Sequence, residues 1–95
     1  MVVSMMQLII ELPDVDSIKD KRRIVASIKE KLQNRYKMTV AEVDLLDSLV
    51  FAHIGAAIIS NSKSYGEGVL QKSIRFVEET VPGRLHDVSI LSEVY

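Results

Sequence analysis

The chain has no cysteine and no tryptophan, and only two prolines and four glycines in 95 residues. Without cysteine there is no disulfide framework, no thiolate metal site and no cysteine nucleophile. The same absence suits a reducing cytoplasm. The scarcity of Pro and Gly, with no low-complexity tract, argues against linkers and tails. The longest uncharged run, Ser48 to Ser62, is 15 residues, short of the ~20 that span a bilayer. No positive segment precedes the first apolar stretch, so no signal peptide is expected. No repeat recurs at a solenoid period. These exclusions point to a soluble cytoplasmic protein without a membrane partner.

What is present suits one folded domain, residues 1–95. An apolar fraction of 47% is ordinary for a globular chain and too high for a disordered one. Charge is unevenly placed. Eight of the twelve Lys and Arg residues fall between Lys19 and Lys37, opposed only by Asp20 and Glu30. That segment carries +6 and the rest of the chain −7, which gives the overall −1. Segregated basic charge favours anionic partners.

Six elements follow from pattern. Val2 to Leu12 is apolar, stops at Pro13 and predicts a first strand. Ser17-Ile18-Lys19-Asp20 has the form of a capping box. A helix over about 18–36 places Ile18, Ile24, Val25, Ile28, Leu32 and Tyr36 in one sector. Met38 to Leu45 predicts the second strand and Val50 to Ser60 the third. Gly55 marks a weak point or a close approach there. A second helix over about 62–81 is capped by Asn61, Ser62 or Ser64 and ends at Pro82-Gly83. Val88, Ile90, Ser92 and Val94 alternate with Asp87, Ser89, Leu91 and Glu93 in a fourth strand. The order β-α-β-β-α-β predicts an α+β, ferredoxin-like sandwich: a four-stranded antiparallel sheet with both helices on one face. Strands one and three belong at its centre. Strand two is an edge, blunted by Glu42, Asp44 and Asp47.

Leu12-Pro13 followed by Ser17-Ile18-Lys19-Asp20-Lys21-Arg22-Arg23 resembles the L-P…S-L-K-D-K-R-R signature of the small bacterial YlxP-like proteins, a family of unknown function. Val40-Ala41-Glu42-Val43-Asp44, Ser60-Asn61 and Arg75-Phe76-Val77-Glu78 resemble its later segments. The likeness spans roughly Leu12 to Glu78. It breaks at Ser48-Leu49-Val50-Phe51-Ala52, where the family pattern has an L-W-Q-R-A-like stretch, so no role for a Trp or Arg there carries over. The resemblance implies a ferredoxin-like fold, genes beside those of translation and ribosome maturation, and no established activity.

The candidate anion- or RNA-binding residues are Lys19, Lys21, Arg22, Arg23 and Lys29. On a helical wheel Lys19, Arg23 and Lys37 point outward. Arg22 and Lys29 flank one side of the apolar sector, and Lys31 and Arg35 flank the other. Such residues also serve simply as a solvated face, with their stems over apolar surface. Lys21 is odd, because its angle falls inside the apolar sector, one turn from a helix start that disfavours a cation. It snorkels over the sheet end, pairs with Asp14 or Asp16, or meets a bound anion.

Other sites are weaker. Glu42, Asp44 and Asp47 could gather Mg²⁺, but nothing supplies a fixed cage. His53 sits in apolar company and His86 begins strand four, and neither has an evident nucleophile or acid. Uses of this fold that need a Gly-rich, Arg-bearing first loop, aromatics on strands one and three, or four cysteines lack those residues here. No catalytic, metal or cofactor-binding residue is assigned, and the chain is expected not to be an enzyme. The helix-free sheet face is apolar, and Val3, Met5, Ile9, Phe51, Ile59 and Leu91 are its candidate dimer contacts. The expectation is a homodimer that binds RNA or a ribosomal particle through the basic helix. The alternative is an oligomeric small-ligand-binding or regulatory domain with its site at the subunit interface.

Overall fold

Alternation builds the first strand. The computed structural model describes residues 1–95, and in it Val2–Glu11 forms β1. Val2, Ser4, Met6, Leu8 and Ile10 are buried on one side of the strand. Val3, Met5, Gln7, Ile9 and Glu11 face the other, as a two-residue pleat requires. The chain then leaves the sheet at Pro13, which lacks an amide hydrogen for the ladder.

Helix α1 runs Ile18–Tyr36, and the Ser17 hydroxyl accepts the Asp20 N–H at 3.2 Å at its start. It ends at Lys37, left-handed at φ 55°, whose N–H donates to the Gln33 carbonyl. Strand β2, Thr39–Asp44, and β3, Phe51–Ser60, form a hairpin. Helix α2 spans Lys63–Thr80, with Ser62 as its N-cap. Strand β4, Arg84–Val94, closes the sheet. It begins four residues before Val88, and a bulge opposite Ile9 and Ile10 takes up the register shift.

All pairings are antiparallel and the strand order is β2-β3-β1-β4. The ferredoxin-like expectation therefore holds, with strands one and three central. One layer of core lies between the sheet and the helices. Met6, Leu8 and Ile10 of β1 and Ala52 and Ile54 of β3 meet Val25, Ile28 and Leu32 of α1 and Leu70 and Val77 of α2. Each large aliphatic side chain buried there contributes about 1.5–3 kcal/mol before entropy is counted. Helix α1 covers the β2 side, and α2 covers β1 and β4.

The register of β2 is regular from Thr39 to Glu42, and a second bulge follows between Glu42 and Asp44. Val43 swings onto the helix-free face, where its Cγ1 lies 3.0 Å from where a Cβ on Gly55 would sit. Gly55 is thus a close approach. Glu42, opposite buried Ile54, points into the helix layer. It does not blunt the edge as expected; of the three acids only Asp44 and Asp47 are exposed.

Candidate functional site

Lys21 leaves the basic surface. Its side chain is 1% exposed, and its Nζ lies 3.1 Å from Glu42 Oε2. It donates to the Leu45 carbonyl at 2.5 Å, with the Leu46 carbonyl at 3.5 Å. Glu42 Oε2 accepts no directed hydrogen bond, so its attraction to the ammonium is mainly Coulombic. The partner is Glu42, neither Asp14 nor Asp16, because alternation from buried Val40 puts that acid on the helix-facing side of β2. The placement of Lys21 among the anion-binding candidates is therefore corrected: its charge is spent inside the fold. It fixes the β2–β3 turn, where Leu45 is left-handed at φ 57°.

The remaining candidates stay outside. Lys19, Arg22 and Arg23 are exposed and Lys29 is half-buried. With Lys31, Arg35 and Lys37, seven cations stand on this segment against Asp20 and Glu30. They do not form one stripe. Arg35 sits 4.8 Å above the Phe76 ring of α2, so the Lys31 and Arg35 flank faces α2. Arg22 and Lys29, on the opposite flank, lie on the β2 side.

The flank facing α2 holds what the sequence reading missed. Ser27, Glu30, Lys31, Asn34, Arg35 and Phe76 line an open groove of about 490 Å³. At Arg35 it meets a second, of about 540 Å³, lined by Tyr36, Lys37, Tyr65, Val69 and Lys72 with Ile58 and Ile59. The Tyr36 and Phe76 rings meet edge to face at 5.8 Å, and the Tyr36 hydroxyl donates to the Lys72 carbonyl at 3.4 Å. Tyr65, Val69, Lys72 and Phe76 recur at three- and four-residue steps, so a wheel of α2 puts them on one face. No wheel shows that this face meets the Arg35 flank of α1.

On the other side of the sheet, Val3, Met5, Ile9, Phe51, Ile59 and Leu91 all lie on the helix-free face by register. Ile59 is 67% exposed and Leu91 54%. Two polar pairs interrupt the apolar surface. His53 Nε2 lies 2.7 Å from Gln7 Oε1, and His86 Nε2 lies 2.6 Å from Glu11 Oε1. Phe51 meets the His86 ring edge-on at 5.3 Å. Neither histidine has a nucleophile among its partners. Asp44 and Asp47 point to solvent while Glu42 points inward, so the three acids do not converge. No helix is long and apolar enough to cross a membrane.

Comparison with known proteins agrees with the motif reading. Residues 3–90 match the family described as Protein of unknown function (DUF503), and the chain belongs to that family. It is 28% identical over 65 residues to the uncharacterized protein YlxP of Bacillus subtilis (strain 168), across 68% of this chain and 71% of that one. A crystal structure of At3g17210 from Arabidopsis thaliana superposes with a TM-score of 0.50 over 98% of this chain and 94% of its own. At 12% identity that likeness concerns the fold alone.

Proposed function

We propose that the chain is a non-enzymatic cytoplasmic accessory protein that binds RNA or a ribonucleoprotein particle through α1. The observation that carries this reading is the solvent-facing charge of the helix: with Lys21 withdrawn, seven cations face two acids. Phosphate contacts from such a surface release condensed counterions, so affinity falls steeply as salt rises. The setting in translation or ribosome maturation rests on the family resemblance. The test is a salt titration of binding to ribosomal RNA and ribosomal particles. Neutralising Arg22, Arg23 and Lys29 together is expected to weaken binding and to flatten the slope of log K against log salt by up to about three. Absence of salt-sensitive affinity in the wild type, or a triple variant that binds like it, defeats the proposal.

A second surface supports self-association through the helix-free face. Strands ~4.8 Å apart and ~3.3 Å per residue give that face a projected area of roughly 500–600 Å², at the low end of the ~600–1,000 Å² that a specific interface takes from each partner. A shallow depression of about 290 Å³ around Gly55, with Met5, Gln7, Thr39, Ala41 and Ala57, lies on it. Small-ligand binding at a subunit interface would use that depression and would be insensitive to salt.

A further inference from the structure

We infer that the groove between α1 and α2 is a binding site for single-stranded RNA, so that the helix layer engages an unpaired strand in preference to a duplex. This rests on the RNA-binding reading above and names its substrate class. The first observation is charge: Lys31, Arg35, Lys37 and Lys72 line the groove, and Glu30 is the one acid among its lining residues. The second is flat surface left open beside that charge. Tyr65 is 61% exposed at one end. Arg35 Cζ lies 4.8 Å from the Phe76 ring centre and 5.8 Å from that of Tyr36, and the side chain is exposed.

Unpaired bases stack on aromatic rings and on guanidinium planes while cations track the phosphates. A duplex hides its base faces and could use the cations alone. The third observation is where the aromatics are. Three of the five aromatics, Tyr36, Tyr65 and Phe76, border this groove; of the other two, Phe51 is already against His86 and Tyr95 is hydrogen-bonded to Glu93. From Ser27 to Lys37 the groove follows about 15 Å of helix, room for a short unpaired segment. Tyr36 serves as a wall, held by Phe76 and the Lys72 carbonyl, and Tyr65 as the open platform.

The experiment is fluorescence anisotropy with a labelled 12-nucleotide RNA lacking self-complementarity, alone and annealed to its complement. The single strand is expected to bind more tightly than the duplex. Tyr65→Ala should weaken the single strand about tenfold without changing the salt slope, because it removes stacking and no phosphate contact. Tyr65→Phe, which keeps the ring, should bind as wild type. Lys31→Ala with Lys72→Ala should flatten the single-strand slope by about 1.4, at ~0.7 per contact. Melting curves matching wild type confirm that each variant is folded. Equal binding of strand and duplex, with Tyr65→Ala behaving as wild type, overturns the groove. If the Arg22, Arg23 and Lys29 variant still weakens both RNAs in that case, the broader RNA reading stands. No binding of either RNA defeats both.

Discussion

Replacing Lys21 with methionine removes an ammonium and keeps a flexible apolar stem of similar length. The change should be severe, for reasons visible in three contacts. Glu42 loses the cation 3.1 Å from its Oε2 while remaining only 15% exposed. The Leu45 and Leu46 carbonyls lose their donor. Leu45 keeps a left-handed backbone that costs a side-chain-bearing residue roughly 1–2 kcal/mol. Removing one partner of a buried pair typically destabilises by about 3–5 kcal/mol. Because Glu42 retains some contact with water, the lower end applies, about 3 kcal/mol. For a domain of this size that lowers Tm by roughly 12–24 °C.

Urea unfolding followed by far-UV circular dichroism measures it, since the chain lacks tryptophan. The double change Lys21→Met with Glu42→Leu separates the causes. With no buried carboxylate left alone, it should recover most of the loss, because apolar replacement of a buried pair is often neutral or better. A residue of about 1 kcal/mol should remain for the turn carbonyls. A Lys21→Met protein within 1 kcal/mol of wild type would refute the buried-pair account. So would a double variant no more stable than Lys21→Met alone.

Other predictions test the remaining surfaces and the packing. Ile9→Lys places a charge on the helix-free face opposite His53 and should split a sheet-to-sheet dimer, read by light scattering at tens of micromolar. A wild-type monomer at that concentration would end the dimer reading. The Arg22, Arg23 and Lys29 triple variant should keep its Tm within a few degrees, because solvated charges are worth ~0–1 kcal/mol each; unfolding would mean they hold α1 to the domain. The two glycines of the first turns of α2 should respond oppositely to alanine. At Gly66 the new Cβ would stand 2.3 Å from Ser4 Oγ, whereas at Gly68 nothing lies within 4 Å. Gly66→Ala should therefore destabilise, and Gly68→Ala should stabilise by about 0.5–1 kcal/mol, both read from urea midpoints.

The fold was legible because its signals are local. The apolar run Val2 to Leu12 ended by Pro13, the Ser17 cap and the apolar sector of α1 are each set within about twenty residues. Their β-α-β-β-α-β order then leaves few topologies. Lys21 was half legible. Its wheel angle announced a cation in an apolar sector, but its partner depends on which face of β2 lies against α1; alternation from buried Val40 puts Glu42 on that face. The start of β4 at Arg84 was missed because the segment through His86 and Asp87 does not alternate cleanly, and the bulge opposite β1 explains that. The inter-helix groove was illegible for a different reason. It needs Arg35 of α1 and Phe76 of α2 in one place, and no local pattern encodes that meeting.

The two proposed surfaces lie on opposite sides of the sheet and share only Ile59, at the β3 end. Both helices cover one face of a single sheet, and the candidate dimer residues occupy the other. Two copies joined face to face through their sheets would turn their helix layers outward in opposite directions. Each α1 and each inter-helix groove would stay open to solvent. Such a dimer would present two equivalent cationic surfaces to one RNA strand or particle, and engagement of the first would raise the effective concentration at the second. Ile9→Lys should then lower affinity for a long RNA that reaches both surfaces more than for a 12-nucleotide strand that reaches one. If it lowers both equally, the sheet face either touches RNA itself or supports the fold of the groove, and the two surfaces are not independent.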